Sequence, residues 1–213
     1  MLSRQVLGVA RLGFAVLTVV AVVALVVHNT RLNPNFSLVR FSSFFTVESN
    51  VLAAVSLTLG GLAAVRGGRG RDLSSFRGAV ALYMAITGIV YNLLLTDLQE
   101  SLQTHLPWAN FVVHTLLPIV VVLDFLLDRS VTRLAGRDAL SWLGFPLLYF
   151  GYSLVRGPFA DWYPYPFLDP RPHGYGHVAV YCLVIAIVFA VLAYAFARST
   201  RLGRRRLSRI LSR

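Results

Sequence analysis

The chain reads as an all-α polytopic membrane protein, a bundle of six transmembrane helices. Three observations predict this fold: six long apolar segments, a hydrophobic fraction of 56% in 213 residues, and a one-sided distribution of arginine. The segments run over 5–27, 41–65, 76–96, 108–127, 139–155 and 177–197. Each has about the 17–25 residues that an α-helix needs to cross ~30 Å of hydrocarbon. Little chain is left over, so residues 1–213 read as a single six-helix domain with a basic tail over 198–213.

The first segment has a basic start and an apolar run, as a signal peptide would. The run is too long and lacks a small-x-small cleavage site, which favours a retained helix. The second opens on the polar residues Thr46, Ser49 and Asn50 and ends at Arg66. The third carries Tyr91 and Asn92 near its far end. The fourth carries Asn110, His114 and Pro118, then Asp124 near its inner end, where Asp128 and Arg129 follow; Asp124 reads as a carboxylate paired at the membrane interface. The fifth holds Tyr152 and Ser153. The sixth holds Cys182, the one cysteine, so no disulfide or thiolate metal cage is available.

A net charge of +11 in a soluble protein would suggest nucleic acid, but here the position of the charge explains it. All 20 basic residues are arginine, and sixteen lie on one side when the N-terminus is placed in the cytoplasm. Only Arg31, Arg40, Arg156 and Arg171 lie on the other. This asymmetry predicts that both termini are cytoplasmic and that the chain is a multi-pass protein of the cell membrane. The tail reads as a stop signal against anionic headgroups. It lacks the interleaved aromatics of a nucleic-acid arm, so no nucleic-acid partner is expected. Arginine-, alanine- and valine-rich composition without lysine suggests a GC-rich bacterial genome.

With this topology, polar residues on several helices fall at one depth. Thr46 is five residues into the second segment and His114 six into the fourth, both roughly 7–9 Å below the outer boundary at 1.5 Å per residue. Tyr91 and Asn92, and Tyr152, approach the same level from below. Polar groups are costly in lipid, so such a cluster implies a shared cavity. Thr46, Ser49 and Asn50 share one helix face, with Glu48 turned away from it. Asn110, His114 and Pro118 form an i, i+4, i+8 stripe, and Pro118 offers no N–H to the His114 carbonyl, which predicts a kink. Taken singly, an intramembrane threonine usually bonds its own helix, and a buried histidine is a functional candidate or a helix–helix bond. His28, His105, His173 and His177 all lie on the outer side. The spacing of the last two permits a metal ligand pair, but the Pro- and Gly-rich segment around them argues against it. No metal or other cofactor is therefore expected. The aromatic loop with Trp162, Tyr163, Tyr165 and Phe167 reads as an interface belt.

The blocks FFTVESN around Thr46, NFVVHTLLPIVVVLDFLL around His114 and WYPYPFLDP before the last helix resemble the androgen-induced gene (AIG) and androgen-dependent TFPI-regulating protein family, in a prokaryotic form. The resemblance covers nearly the whole chain, and its most specific part is the N-x3-H-T-x2-P block. It implies a threonine hydrolase of fatty acid esters of hydroxy fatty acids, with Thr46 as nucleophile and His114 as base. Ser49, Asn50, Tyr91, Asn92, Asn110 and Tyr152 would line the pocket. The Glu48-Ser49-Asn50 run departs from the animal sequences, which implies a different pocket lining. Membrane lipids and a lipid ester substrate are the expected partners. The rival reading is a small transporter or non-catalytic lipid-binding bundle, in which the same cluster is a binding pocket.

Overall fold

The computed structural model describes residues 4–67, 72–96, 106–128 and 130–211, with no strand among them. The chain forms two compact units, Met1–Val131 and Thr132–Arg213. In the first, α1 (Arg4–Leu32) is followed by a short α2 (Leu38–Ser42), then α3 (Phe45–Val65) and α4 (Ser74–Val90). A π-helical turn, Tyr91–Leu95, extends α4. Next among the described residues come α5 (Pro107–Phe111), a second π-helical turn at Val112–Leu116, and α6 (Leu117–Leu127). The second unit holds α7 (Gly136–Trp142), α8 (Gly144–Ala160), a 3-10 turn at Pro166–Leu168 and α9 (Gly174–Leu211).

Among the described residues five helical stretches are long and apolar enough to cross a membrane: Arg4–Leu32, Phe45–Val65, Ser74–Leu95, Pro107–Leu127 and Gly174–Thr200. An all-α polytopic membrane bundle is therefore the fold. The segment expected at 139–155 differs: it is divided at Leu143 into α7 and α8. Pro146 accounts for the break, because it cannot donate to Trp142 one turn back and its ring crowds that carbonyl. The 17-residue α8 runs on to Ala160 and ends at Asp161, whose φ of 45° is left-handed. The second expected segment also changes. Its first residues form α2, the chain turns extended at Phe44 (ψ 131°), and α3 begins at Phe45. Thr46 consequently sits in the first turn of α3 instead of five residues into a helix.

Within the first unit α1 lies along α3, and α4 packs against both α3 and α6. Glycines permit the α1–α3 approach. A Cβ at Gly8 would fall 2.9 Å from the Gly61 carbonyl, and one at Gly61 would fall 3.0 Å from the Gly8 carbonyl. Small residues at such crossings let backbones touch, the main attraction open to helices surrounded by equally apolar lipid tails.

Beside this crossing, where Arg11 lies against Gly60, charge joins three helices. Arg11 of α1 donates through Nε to Asp124 of α6 at 2.8 Å and through Nη2 to Asp128. Arg77 of α4 bonds the same two carboxylates, at 2.9 and 2.7 Å. Arg11 and Arg77 are 5% and 8% exposed, so these are interior arginines and not loop charges on the membrane surface. Asp124 is paired as expected, but across helices; Arg129 lies outside the described residues. Two cations facing two anions leave no net charge to bury.

Just beyond α6, burial pushes the Asp128 carboxyl up. The Arg77 charge and hydrogen bonds from Ser130 and Arg11 outweigh it and hold the group well below the ordinary carboxylate range. A depressed value means that the stabilisation from ionised Asp128 is complete above about pH 4 and declines only below it. Unfolding in detergent should accordingly be insensitive to this group between neutral pH and about pH 4. Arg77→Leu should cost about 3–5 kcal/mol by leaving a carboxylate uncompensated. Replacing Arg77 and Asp128 together by leucine should cost less than Arg77→Leu alone; a double variant less stable than the single one would contradict the network's role.

In the second unit, the Leu134 N–H donates to Thr200 Oγ1 at 3.1 Å, tying the lead into α7 to α9. The aromatic segment is folded, not splayed. Tyr165 and Phe167 stack at 5.2 Å and are both buried. Tyr163 lies on Gly157, where a Cβ would meet its ring at 2.0 Å. Arg171 joins Asp161 and Asp169 at 2.6 Å each and lies over the Tyr163 ring.

Candidate functional site

Six of the eight expected site residues are connected within the first unit through bonds that trace back to Pro118. In an α-helix the Leu117 N–H would serve the Val113 carbonyl and the next N–H would serve His114. Here the Leu117 N–H reaches back five residues to Val112, closing the π-helical turn, and Pro118 has no N–H. Two buried carbonyls thus lose their helical donors. Asparagines from two other elements replace them. Asn50 Nδ2 of α3 donates to the Val113 carbonyl at 3.1 Å, and Asn92 Nδ2 donates to the His114 carbonyl at 3.3 Å. Each amide also donates to its own helix, Asn50 to the Thr46 carbonyl and Asn92 to the Gly88 carbonyl, both at 2.8 Å. The expected kink is therefore a π-helical turn, a feature common at functional sites.

His114 is 6% exposed and held on two sides. Its Nδ1 lies 3.2 Å from the Asn110 carbonyl. A carbonyl oxygen only accepts, so this bond requires the proton on Nδ1 and leaves the Nε2 lone pair as the ring's acceptor. Tyr91 stacks on the imidazole with centroids 3.7 Å apart and planes 21° from parallel. Asn110 Nδ2 in turn donates to Tyr91 Oη. The one residue Asn110 therefore fixes both rings, one through its backbone and one through its side chain.

Thr46 is 9% exposed and sits one turn before Asn50. Through the Asn50 amide its carbonyl is one amide group removed from the turn that carries His114. Ser49 is fully buried on the same face. Four oxygens of this unit are buried without a hydrogen-bond partner among the described residues: Ser49 Oγ, Asn50 Oδ1, Thr87 Oγ1 and Asn110 Oδ1. Groups of this kind cost about 1–3 kcal/mol each when unmet.

Tyr152 is not among the bonded residues. It lies on α8 in the second unit, half exposed, with the Arg156 guanidinium 5.9 Å from its ring centre. The His173 and His177 rings are 4.8 Å apart, and among the described residues no group of three or more His, Cys, Asp or Glu could hold a metal ion. His105 lies outside the described residues. Two site residues escaped sequence reasoning. A Cβ at Gly88 would meet Pro118 Cβ at 3.0 Å and the His114 carbonyl at 3.5 Å, so its hydrogen allows α4 to approach the turn. Thr87 precedes it, with the unmet hydroxyl already described. The signal that could have found Gly88 is its place one turn before Asn92 on the segment that must face Pro118.

No protein-family model, curated protein or solved structure matches the chain. The bonding just described must therefore carry the functional reading.

If Asn92 serves to satisfy a carbonyl that Pro118 leaves open, Asn92→Leu should cost about 1–3 kcal/mol in thermal unfolding. In a Pro118→Ala background, where an N–H is restored, the same substitution should cost much less. Equal costs in both backgrounds would show that the asparagine has another task.

Proposed function

We propose that this protein is an intramembrane hydrolase of lipid esters, of the fatty acid ester of hydroxy fatty acid type, with Thr46 as nucleophile and His114 as base. The observation that carries this reading is the imidazole held by Asn110 with its Nε2 lone pair available, on a turn bonded to the Thr46 turn through Asn50. It agrees with what the family resemblance implies for the same two residues.

The chemistry follows from the tautomer. His114 Nε2 takes the Thr46 hydroxyl proton as Oγ1 bonds to the ester carbonyl carbon, whose oxygen becomes an oxyanion. The C–O bond to the alcohol then breaks, and the alcohol leaves with the proton from Nε2. Water repeats the sequence on the acyl-threonine: it gives a proton to Nε2, attacks the carbonyl, and the proton returns to Thr46 as the fatty acid departs. Position in the first turn of α3 assists, because the positive end of a helix dipole favours negative charge developing on Oγ1. A tail-bearing substrate can keep its chains among lipid acyl groups while its carbonyl meets the dyad.

Thr46→Ala and His114→Ala in the purified full-length protein should each abolish hydrolysis of a long-chain p-nitrophenyl ester and labelling by a fluorophosphonate probe. The loss should be at least 100-fold, since a base of this kind contributes about 10²–10⁴. Full activity in Thr46→Ala would sink the dyad and move the transporter or lipid-binding reading ahead.

The proposal extends to orientation in the cell membrane. The 17 residues of α8 span about 26 Å at 1.5 Å per residue, enough for a sixth crossing. Six crossings put both termini on one side, and the arginine split makes that side the cytoplasm. A reporter fused after Arg213 should be active only in its cytoplasmic form; activity confined to the outside would overturn this orientation.

A further inference from the structure

A hydrolytic site needs a donor for the oxyanion, and four side chains near His114 carry suitable groups. Two of them have both amide hydrogens engaged elsewhere. Asn50 spends both amide hydrogens on the Thr46 and Val113 carbonyls, and Asn92 spends both on the Gly88 and His114 carbonyls. Asn110 directs one of its two amide hydrogens at Tyr91 Oη. That last bond decides the fourth. Tyr91 Oη accepts from Asn110, so its own hydrogen is not used there and points elsewhere. The ring that carries it lies 3.7 Å from the imidazole centroid, nearly parallel to it and 5% exposed. The stack keeps the phenol against the face of the imidazole, so its hydroxyl belongs to the immediate surroundings of the base.

We infer that Tyr91 is a catalytic residue of this site, its phenolic O–H donating to the ester oxyanion while His114 handles the proton. The inference rests on the hydrolase reading. The Asn110 amide polarises the phenol by donating to its oxygen, which strengthens the phenol as a donor in turn. No net proton transfer to or from Tyr91 is involved: the bond forms as the oxyanion forms and relaxes when the carbonyl is restored. Asn110 is then the positioning residue of both partners, through its carbonyl for His114 and its side chain for Tyr91.

The test uses the full-length protein in detergent micelles with a long-chain p-nitrophenyl ester as substrate. Tyr91→Phe keeps the ring and the stacking and removes only the hydroxyl. It should lower kcat about 10²–10³-fold with KM changed less than threefold, the loss found when one oxyanion donor is removed. A 3-fluorotyrosine at position 91, which keeps stacking and the hydroxyl, should retain kcat within a few-fold of wild type. If Tyr91→Phe keeps wild-type kcat while Thr46→Ala and His114→Ala are inactive, the hydrolase reading stands and the role of Tyr91 is wrong. If Tyr91→Phe fails to fold, the 3-fluorotyrosine protein decides: a folded protein that has lost activity overturns the inference. If Thr46→Ala is as active as wild type, the hydrolase reading falls and the inference falls with it.

Discussion

Two carbonyl groups, of Val113 and His114, have to find hydrogen-bond donors outside their own helix, and the site is arranged around that need. In water such groups would be solvated at little cost. Inside a bilayer every backbone group must be satisfied by the protein. Pro118 and the π-helical turn create the deficit, and Asn50 and Asn92 close it from α3 and from the end of α4. Each asparagine also bonds its own helix, so the three helical elements are joined by short polar bridges. Gly88 lets α4 come close enough for this, since only hydrogen separates it from Pro118. The histidine is held where it is because its turn is bonded on both sides.

A second polar knot, of Arg11, Arg77, Asp124 and Asp128, joins α1, α4 and α6 by charge. The two knots differ in chemistry for a physical reason. Around His114 the bonds are between neutral groups, which keeps permanent charge away from the buried imidazole. The ionic quartet brings four charges together about three helical turns from His114, on α1, α4 and the end of α6. Its geometry is reciprocal: each arginine reaches both carboxylates. Such an arrangement specifies which helices meet more than it adds stability, because desolvation offsets much of the attraction. The Gly8–Gly61 crossing supplies the corresponding close contact between α1 and α3 without any polar group.

The proposed hydrolase chemistry makes modest demands on this scaffold. It needs one tautomer at His114, an alcohol within reach, and one strong donor for the oxyanion. The first follows from a carbonyl that can only accept. The others depend on rings and helices held by Asn110 and Asn50. Buried hydroxyls and amide oxygens at Ser49, Thr87, Asn50 and Asn110 have no hydrogen-bond partner among the described residues.

The sequence by itself determined the solvent and the class of fold. Long apolar runs leave no alternative to membrane helices, because unpaired backbone groups are too costly in lipid. It also marked the stripe of Asn110, His114 and Pro118, since a proline in a helix must orphan a carbonyl wherever it occurs. Tertiary structure decided what answers that deficit. Nothing in one-dimensional spacing shows that Asn50 and Asn92 meet Val113 and His114, or that Gly88 is the point of contact. The same limit applies to charge. Arg11 and Arg77 look like ordinary positive-inside residues in sequence, because periodicity gives a helix face but not its neighbour. Only packing turns them inward against Asp124 and Asp128. The break at Leu143 was readable in principle from Pro146, yet an unbroken apolar stretch masked it: hydrophobicity reports the solvent, while the backbone donor that proline lacks determines where a helix can start.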